Sequence, residues 1–266
     1  MTVGASTSNL YPMPTEQALH TLLKLGFRDV EVFINTESEA TPAFAKLLRR
    51  QADAYGATIR ALHPYLSGYE SYLLFSGYER RFRDGLKTYD RIFEAAAILG
   101  AELVIMHGDR PDSVLSVEES IARFAAVDEI GQAHGVHLAQ ENVVRYRSSD
   151  PAYLRAMKQA MGERMRFVFD VKQCGRCGLP MEQVLDAMGD AIAHVHISDR
   201  DKTHDSLLPG KGQLDYLPLL RRLQAAHFDG SLILELYRSN FEEVPELLEG
   251  KTYLDTLLAA MQAGEA

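Results

Sequence analysis

A single (β/α)8 barrel spanning residues 1–266 is the fold this sequence predicts, on three observations. Short apolar strand candidates alternate with helical patterns along the chain, as in a parallel sheet with crossover helices. A polar residue stands at or near the end of seven successive strand segments, roughly 26 to 44 residues apart, about one strand–helix unit. No linker, low-complexity tract or charged tail interrupts the alternation. A doubly wound open sheet is the competing architecture, but its glycine-rich first turn is missing, and the chain reads STSNLYP there instead.

In chain order, VGAST near residue 3 is the first strand. A helix follows from about Thr15 to Leu25, with Pro14 upstream and Gly26 as its stop. DVEVFI is the second strand, carrying Glu31, and its helix begins near Thr41-Pro42 and ends near Gly56. ATIRALHPY, with His63, leads into LSGYESYLLFSGYE, whose length and aromatics predict a lid-like loop or a loop packed on the barrel rim. The long helix from about Tyr78 to Leu99 places Phe82, Leu86, Tyr89, Ile92, Phe93 and Ala96 at helical spacing, and Gly100 ends it. AELVIMHGD carries His107, and Ser116 with Glu119 resembles a capping box for the next helix. VHLAQENV carries Glu141, and Asp150-Pro151 opens a helix. MRFVFDVKQ carries Asp170, with Pro180 opening the following helix; IAHVHISD carries His196, with a helix from Asp215-Tyr216. GSLILELY carries Glu235, and Val244 to Met261 makes the eighth helix.

Composition narrows the function. A hydrophobic share of 46% and a charged share of 24% are ordinary for a globular chain. No apolar run approaches the roughly 18 residues that span a membrane, and the N-terminus shows no secretory pattern, so a cytoplasmic location is expected. A net charge of −9 argues against a nucleic-acid partner. Cys174 and Cys177 form a lone CxxC without further zinc ligands nearby and read as ordinary thiols in a loop.

In a barrel, side chains at the C-terminal strand ends share the face where active sites sit. Glu141, Asp170, His196 and Glu235 would then form an oxygen-rich cluster whose carboxylates repel one another unless a cation joins them. The donor set favours Mn²⁺ over a thiolate-seeking metal, with Mg²⁺, Co²⁺, Fe²⁺ or Zn²⁺ compatible. His63 and His107 could bind a second ion that shares Glu141, meet a substrate hydroxyl, or line the rim. Glu31 could contact substrate or form a salt bridge at the rim. Lys172 and Arg147 are candidate substrate contacts, and the backbone amides of Gly210-Lys211-Gly212 could hold an anion.

The segments LAQENV, FVFDVKQ, HVHISDRD, LLPGKGQLDY and LILELY carry a resemblance. With them the chain resembles the xylose isomerase-like barrel superfamily, which includes sugar and keto-acid isomerases, ketose 3-epimerases, inosose dehydratases and endonuclease IV. The resemblance implies that Glu141, Asp170, His196 and Glu235 are ligands of one metal ion. It further implies that Glu141 and Glu235 are the catalytic acid–base pair, and that Arg200 lies where relatives contact substrate. Two positions depart from it. Gln173 stands where relatives carry a histidine after the strand-six aspartate, which suits a substrate hydroxyl better than a metal. Of the endonuclease's Asp-x-His after strand seven only His204 remains, in Lys202-Thr203-His204, so a third metal site is not expected. His63 and His107 match the endonuclease's other histidines, and with His204 they are candidates for a second metal or for substrate.

The implied function is a divalent-metal-dependent isomerase or epimerase of a small sugar, keto-sugar or related polyol ketone. An endonuclease IV-type phosphodiesterase on abasic DNA, or a dehydratase or lyase of the same barrel family, is the alternative. A small carbohydrate is the expected partner, with homo-oligomers frequent among such relatives.

Overall fold

Eight parallel strands close in sequence order into a barrel in the computed structural model, which describes residues 1–264. They are β1 (Thr2–Ser6), β2 (Asp29–Phe33), β3 (Thr58–His63), β4 (Leu103–Met106), β5 (His137–Glu141), β6 (Phe167–Asp170), β7 (Ile192–Ile197) and β8 (Ser231–Leu234). Pairing of Thr2 with Ser231 through Ala5 with Leu234 joins the last strand to the first, so no sheet edge is left open. The (β/α)8 architecture expected from the sequence is the one observed. The helices between and around the strands are α1 (Thr15–Leu25), α2 (Pro42–Ala54), α3 (Glu70–Leu73), α4 (Glu79–Leu99), α5 (Val117–Ala133), α6 (Pro151–Met161), α7 (Val171–Cys177), α8 (Met181–Met188), α9 (Leu217–Ala225) and α10 (Leu247–Ala263).

Local chemistry sets the helix ends. Thr41 and Asp150 cap helices whose first residue is proline, so the missing proline N–H costs no helical hydrogen bond. Ser116 and Glu119 exchange both capping-box hydrogen bonds at the start of α5. Gly100 ends α4 at φ 74°, a left-handed conformation that an L side chain resists.

Three local expectations need correction. Residues 171–177 form helix α7 directly after β6, so Cys174 and Cys177 lie on a helix, not in a loop; Asp170 caps it by accepting from Gln173 N. Asp215 precedes α9 and accepts from Leu217 N at 3.0 Å, acting as a cap outside the helix. The C-terminal stretch starts as a 3-10 turn at Val244–Glu246, and α10 proper begins at Leu247.

Side-chain alternation builds the site. Ala61, Ile105, Ala139 and Val168 form a small buried cluster separate from the large core between strands and helices. Each lies two residues before an ionisable side chain: His63, His107, Glu141 and Asp170. Since alternate strand residues share a face, an apolar layer fills the barrel and the polar layer sits above it. Irregularities adjust two strands. Between β2 and β3 the register skips Arg60, so Glu31 pairs with Ala61. Between β6 and β7 it skips Ala193, so Val168 pairs with His194 and Asp170 with His196.

Candidate metal centre

The polar layer converges. Ligand atoms of Glu141, Asp170, His196 and Glu235 all lie within 4.8 Å of one another. His196 Nδ1 stands 3.4 Å from Glu141 Oε1, 3.4 Å from Glu235 Oε2 and 3.9 Å from Asp170 Oδ2. Glu141, Asp170 and His196 are almost fully buried; the Glu235 side chain keeps 14% exposure and marks the side from which the cluster is reached. A second group, His63, His107 and Glu141, shares the Glu141 carboxylate: His107 Nε2 lies 3.0 Å and His63 Nε2 3.7 Å from its Oε2.

A divalent cation fits these residues on three grounds. Glu141 Oε2 and Asp170 Oδ2 are buried without a well-aligned hydrogen bond, met only by His107 Nε2 at 3.0 Å and Lys172 Nζ at 3.5 Å, which leaves room for a cation to complete them. His196 Nε2 donates to Glu31 Oε2 at 2.8 Å, so in the neutral ring Nδ1 carries its lone pair toward three carboxylates. His63 Nδ1 faces the Pro64 carbonyl at 3.2 Å, which places its proton there and turns the Nε2 lone pair toward Glu141. Lone pairs and carboxylates pointing at one another call for a proton or a metal ion between them.

Protons take that place when no cation is bound. Burial works against a charged His196, yet Glu235 and Glu31 outweigh it and hold its pKa well above the usual imidazole range. Burial would push Glu141 up, but His107, His196 and His63 bring it well below the usual carboxylate range. Glu235 is likewise lowered against the cost of burial by His196 and Lys172. Asp170 stays raised because burial dominates over Lys172. The Lys172 ammonium bonds Glu235 Oε2 at 2.8 Å and lies 3.5 Å from Asp170 Oδ2. Burial opposes its charge, but those carboxylates raise its pKa and keep it protonated.

Three residues support the cluster from behind, and of these Asn142 and Glu70 were not anticipated from the sequence. Glu31 is fully buried and accepts from His194 Nε2 at 2.9 Å as well as from His196, fixing the tautomer and ring of the latter. The salt bridge expected of Glu31 is thus made, with His194 and His196 in the buried interior of the barrel. Asn142 holds the end of β6: its Nδ2 donates to Asp170 O at 3.0 Å and its Oδ1 accepts from Asp170 N at 2.7 Å. Glu70, on α3, accepts from His107 N and Gly108 N, each at 2.8 Å, and from the Tyr89 hydroxyl at 2.9 Å. The segment after β3 is thus pinned to the rim, with Leu66, Leu74 and Phe75 buried and Tyr69 and Tyr72 exposed. The strand-end position of Glu31 pointed to it in advance, and the two histidines of HVH on one strand face could have named its partners.

Other candidates fall outside the cluster. His204 is two-thirds exposed and paired with Asp201, so the structure does not gather it with His63 and His107. Arg147 is tied to Asp109 at 3.0 Å and donates to Leu115 O, holding a loop. Gln173 spends its side-chain oxygen on Val144 N at 3.2 Å. The amides of Gly210 and Gly212 donate to Asp199 Oδ2 at 3.0 Å each, so that turn holds a buried side chain of its own protein and not a free anion. Arg200 lies at the barrel mouth, beside α7.

The xylose isomerase-like TIM barrel model matches residues 19–257. The chain belongs to that family. An uncharacterized protein of Mycobacterium leprae is 24% identical, over 92% of this chain and 91% of that one. Fructoselysine 3-epimerase of Escherichia coli O157:H7 is 22% identical, over 89% of this chain and 90% of that protein. Among solved structures, a D-tagatose 3-epimerase-like protein superposes with TM-score 0.83 at 18% identity over the whole of both chains. The 3-keto-D-glucoside 4-epimerase of E. coli gives 0.75 at 19% identity, over 97% of this chain and 99% of that one. These likenesses extend to the fold. No described helix is long and apolar enough to cross a membrane.

Proposed function

We propose that this chain is a divalent-metal-dependent isomerase or epimerase acting on a small sugar, keto-sugar or related polyol ketone. The observation that carries this is the convergence of Glu141, Asp170, His196 and Glu235 within 4.8 Å, at the barrel end where family members do chemistry. The two curated relatives named as fructoselysine 3-epimerases support the same class. Mn²⁺ suits the three carboxylates and one imidazole best. Bound there, the cation would polarise the substrate's carbonyl and stabilise negative charge on its oxygen.

The protein's own groups do the rest. Glu235, the member of the four open to the mouth, takes the proton from the carbon beside the carbonyl. Lys172, bonded to Glu235, stays cationic and keeps that carboxylate ionised before the transfer. Glu141, held on the other side by His107 and His63, relays a proton from the His107 imidazolium at 3.0 Å to the opposite face, leaving His107 neutral until solvent reprotonates it. Return to the same carbon inverts a centre; return to its neighbour isomerises the sugar. His194 and Glu31 hold His196 without touching substrate.

Solvent deuterium exchange into a panel of ketoses tests this, with metal content measured on the same protein. Exchange that Glu235→Gln abolishes in a folded variant is the expected result; no exchange with any ketose defeats it. The His63–His107–Glu141 group favours a second possibility, a two-cation phosphodiesterase. Two or more ions per chain together with nicking of abasic DNA would reverse the order.

A further inference from the structure

A cavity of about 550 Å³ opens at the mouth of the barrel, beside the metal centre. Helix α7 and the segments following β7 and β8 line it, and its charged lining consists of Arg176, Arg200 and Lys202 against Asp201 and Asp205, with His204 at the edge. Both acids are already committed. Asp205 pairs with Arg176, and Asp201 accepts from Thr203 N and His204 N while facing the His204 ring. Among the described residues, Arg200 and Lys202 have no carboxylate partner. Two uncompensated cations share one concavity on a chain whose net charge is −9. They do not neutralise the metal centre either, since Lys172 is the cation in contact with Glu235 and Asp170.

The protein builds a place for one of them. The Arg200 guanidinium lies over Gly175 of α7, where any Cβ would collide with its Nη1 and stand 3.1 Å from its Cζ. A bare backbone there gives the planar group room to lie at the cavity wall. The cavity also connects to the chemistry. Tyr237 accepts from Arg176 at 2.9 Å, and its ring centroid is 5.3 Å from the Arg176 guanidinium carbon and 5.2 Å from Lys172 Nζ. One aromatic ring therefore separates the cavity from the lysine bound to Glu235.

We propose that this cavity is a subsite for an anionic end of the substrate, a carboxylate or a phosphate held by Arg200 and Lys202. Resting on the isomerase or epimerase assignment above, it makes the substrate an acidic sugar derivative, a keto sugar acid or a ketose phosphate, in place of a neutral ketose. A guanidinium fork matches the two oxygens of either group, and the neighbouring ammonium adds charge without demanding geometry. The reacting carbons would then lie past Tyr237, against Glu235 and Lys172.

Binding separates the sources and isolates the subsite from the reaction. Calorimetric titration of the metal-loaded protein would use fructose, fructose 6-phosphate and 5-keto-gluconate, with deuterium exchange into each recorded in parallel. At least one anionic sugar should bind about tenfold or more tightly than fructose, and whichever does so identifies carboxylate or phosphate as the end group. Arg200→Gln and Lys202→Gln should each weaken the anionic sugar far more than fructose and so remove most of that preference. Gly175→Ala, a change helices tolerate, should weaken the anion by displacing Arg200. Equal affinity for neutral and anionic sugars, or a preference that survives both glutamine variants, overturns the subsite. Arg200-dependent anion binding without exchange would leave the subsite standing and defeat the isomerase assignment. Exchange into fructose with no anion preference would do the reverse.

Discussion

Glu31→Gln is the substitution that most directly tests how the metal centre is built. Glu31 lies on β2, a barrel diameter from the ligands on β5 and β6, and touches no substrate-accessible surface. Its Oε2 accepts from His196 Nε2 at 2.8 Å and from His194 Nε2 at 2.9 Å. The first of these bonds keeps the proton on Nε2 and aims the Nδ1 lone pair at the cation position. Glutamine fills the same volume but offers one neutral oxygen to two imidazole donors and turns an amide N–H₂ toward the apolar interior or toward a ring nitrogen. Loss of such a partner behind a ligating histidine costs about ten- to hundredfold in metal affinity, or about 1.4–2.7 kcal/mol. Competition of Mn²⁺ against a fluorescent chelator measures it, with circular dichroism and melting temperature confirming the fold. Glu31→Asp, which withdraws the carboxylate by one methylene, should fall between wild type and Glu31→Gln. Affinity within twofold of wild type in a folded Glu31→Gln protein would show that His196 needs no such support.

Four further outcomes follow from the same geometry. Mn²⁺ at a hundredfold excess over its dissociation constant should stabilise the fold by about 2.7 kcal/mol in a thermal melt, and Asp170→Asn should erase most of that gain. Because the cation must displace the proton that Glu235 and Glu31 hold on His196, affinity should fall as pH drops below that raised value and level off above it; a flat profile from acid to neutral would contradict this. Asn142→Leu leaves the Asp170 amide and carbonyl without their side-chain partners, at about 2–4 kcal/mol, and should lower the melting temperature by roughly 4–16 °C. Gly4→Ala drives a Cβ into the Asp29 carbonyl and the Ile233 side chain where β1 meets its neighbours, so denaturant titration should show a loss of about 1–3 kcal/mol or more.

Much of this was legible in the chain because parallel barrels convert a one-dimensional order into a ring. Each apolar strand ending in Glu, Asp or His puts that residue at the same height, so Glu141, Asp170, His196 and Glu235 could be grouped without knowing any distance. What escaped were relations that run across the ring or depend on loops. Glu31 and His194 come together only through barrel curvature and the skipped Arg60 and Ala193 registers, which sequence periodicity does not encode. Glu70 lies in the segment read as a lid-like or rim-packed loop, where a single turn of helix buries it against the His107 and Gly108 amides. His204 was grouped with His63 and His107 through the resemblance to the endonuclease's Asp-x-His, while its loop closes locally on Asp201 and holds it in solvent. Asp199 was hidden for the same reason: its four hydrogen bonds, to the amides of Arg200, Gly210, Gly212 and Leu214, arise from a loop that folds back on itself.

Charge explains why the barrel end holds together despite these demands. Glu31, Glu141, Asp170 and Glu235 bring four carboxylates into a nearly dry ring, and Lys172 supplies the one permanent cation among them. Two added positive charges leave a net charge of −1 whether they arrive as protons on His196 and His107 or as one divalent ion. In the protonated arrangement Glu141 Oε2 meets His107 at 3.0 Å and Asp170 Oδ2 meets only the Lys172 ammonium at 3.5 Å, whereas an ion among the four ligands would meet both oxygens directly. The metal-free protein is thus folded around a site whose charge is nearly balanced and whose lone pairs are not. That difference, set by the loosely met Asp170 Oδ2 and by the His196 orientation that Glu31 enforces, is what would select a divalent cation over a pair of protons.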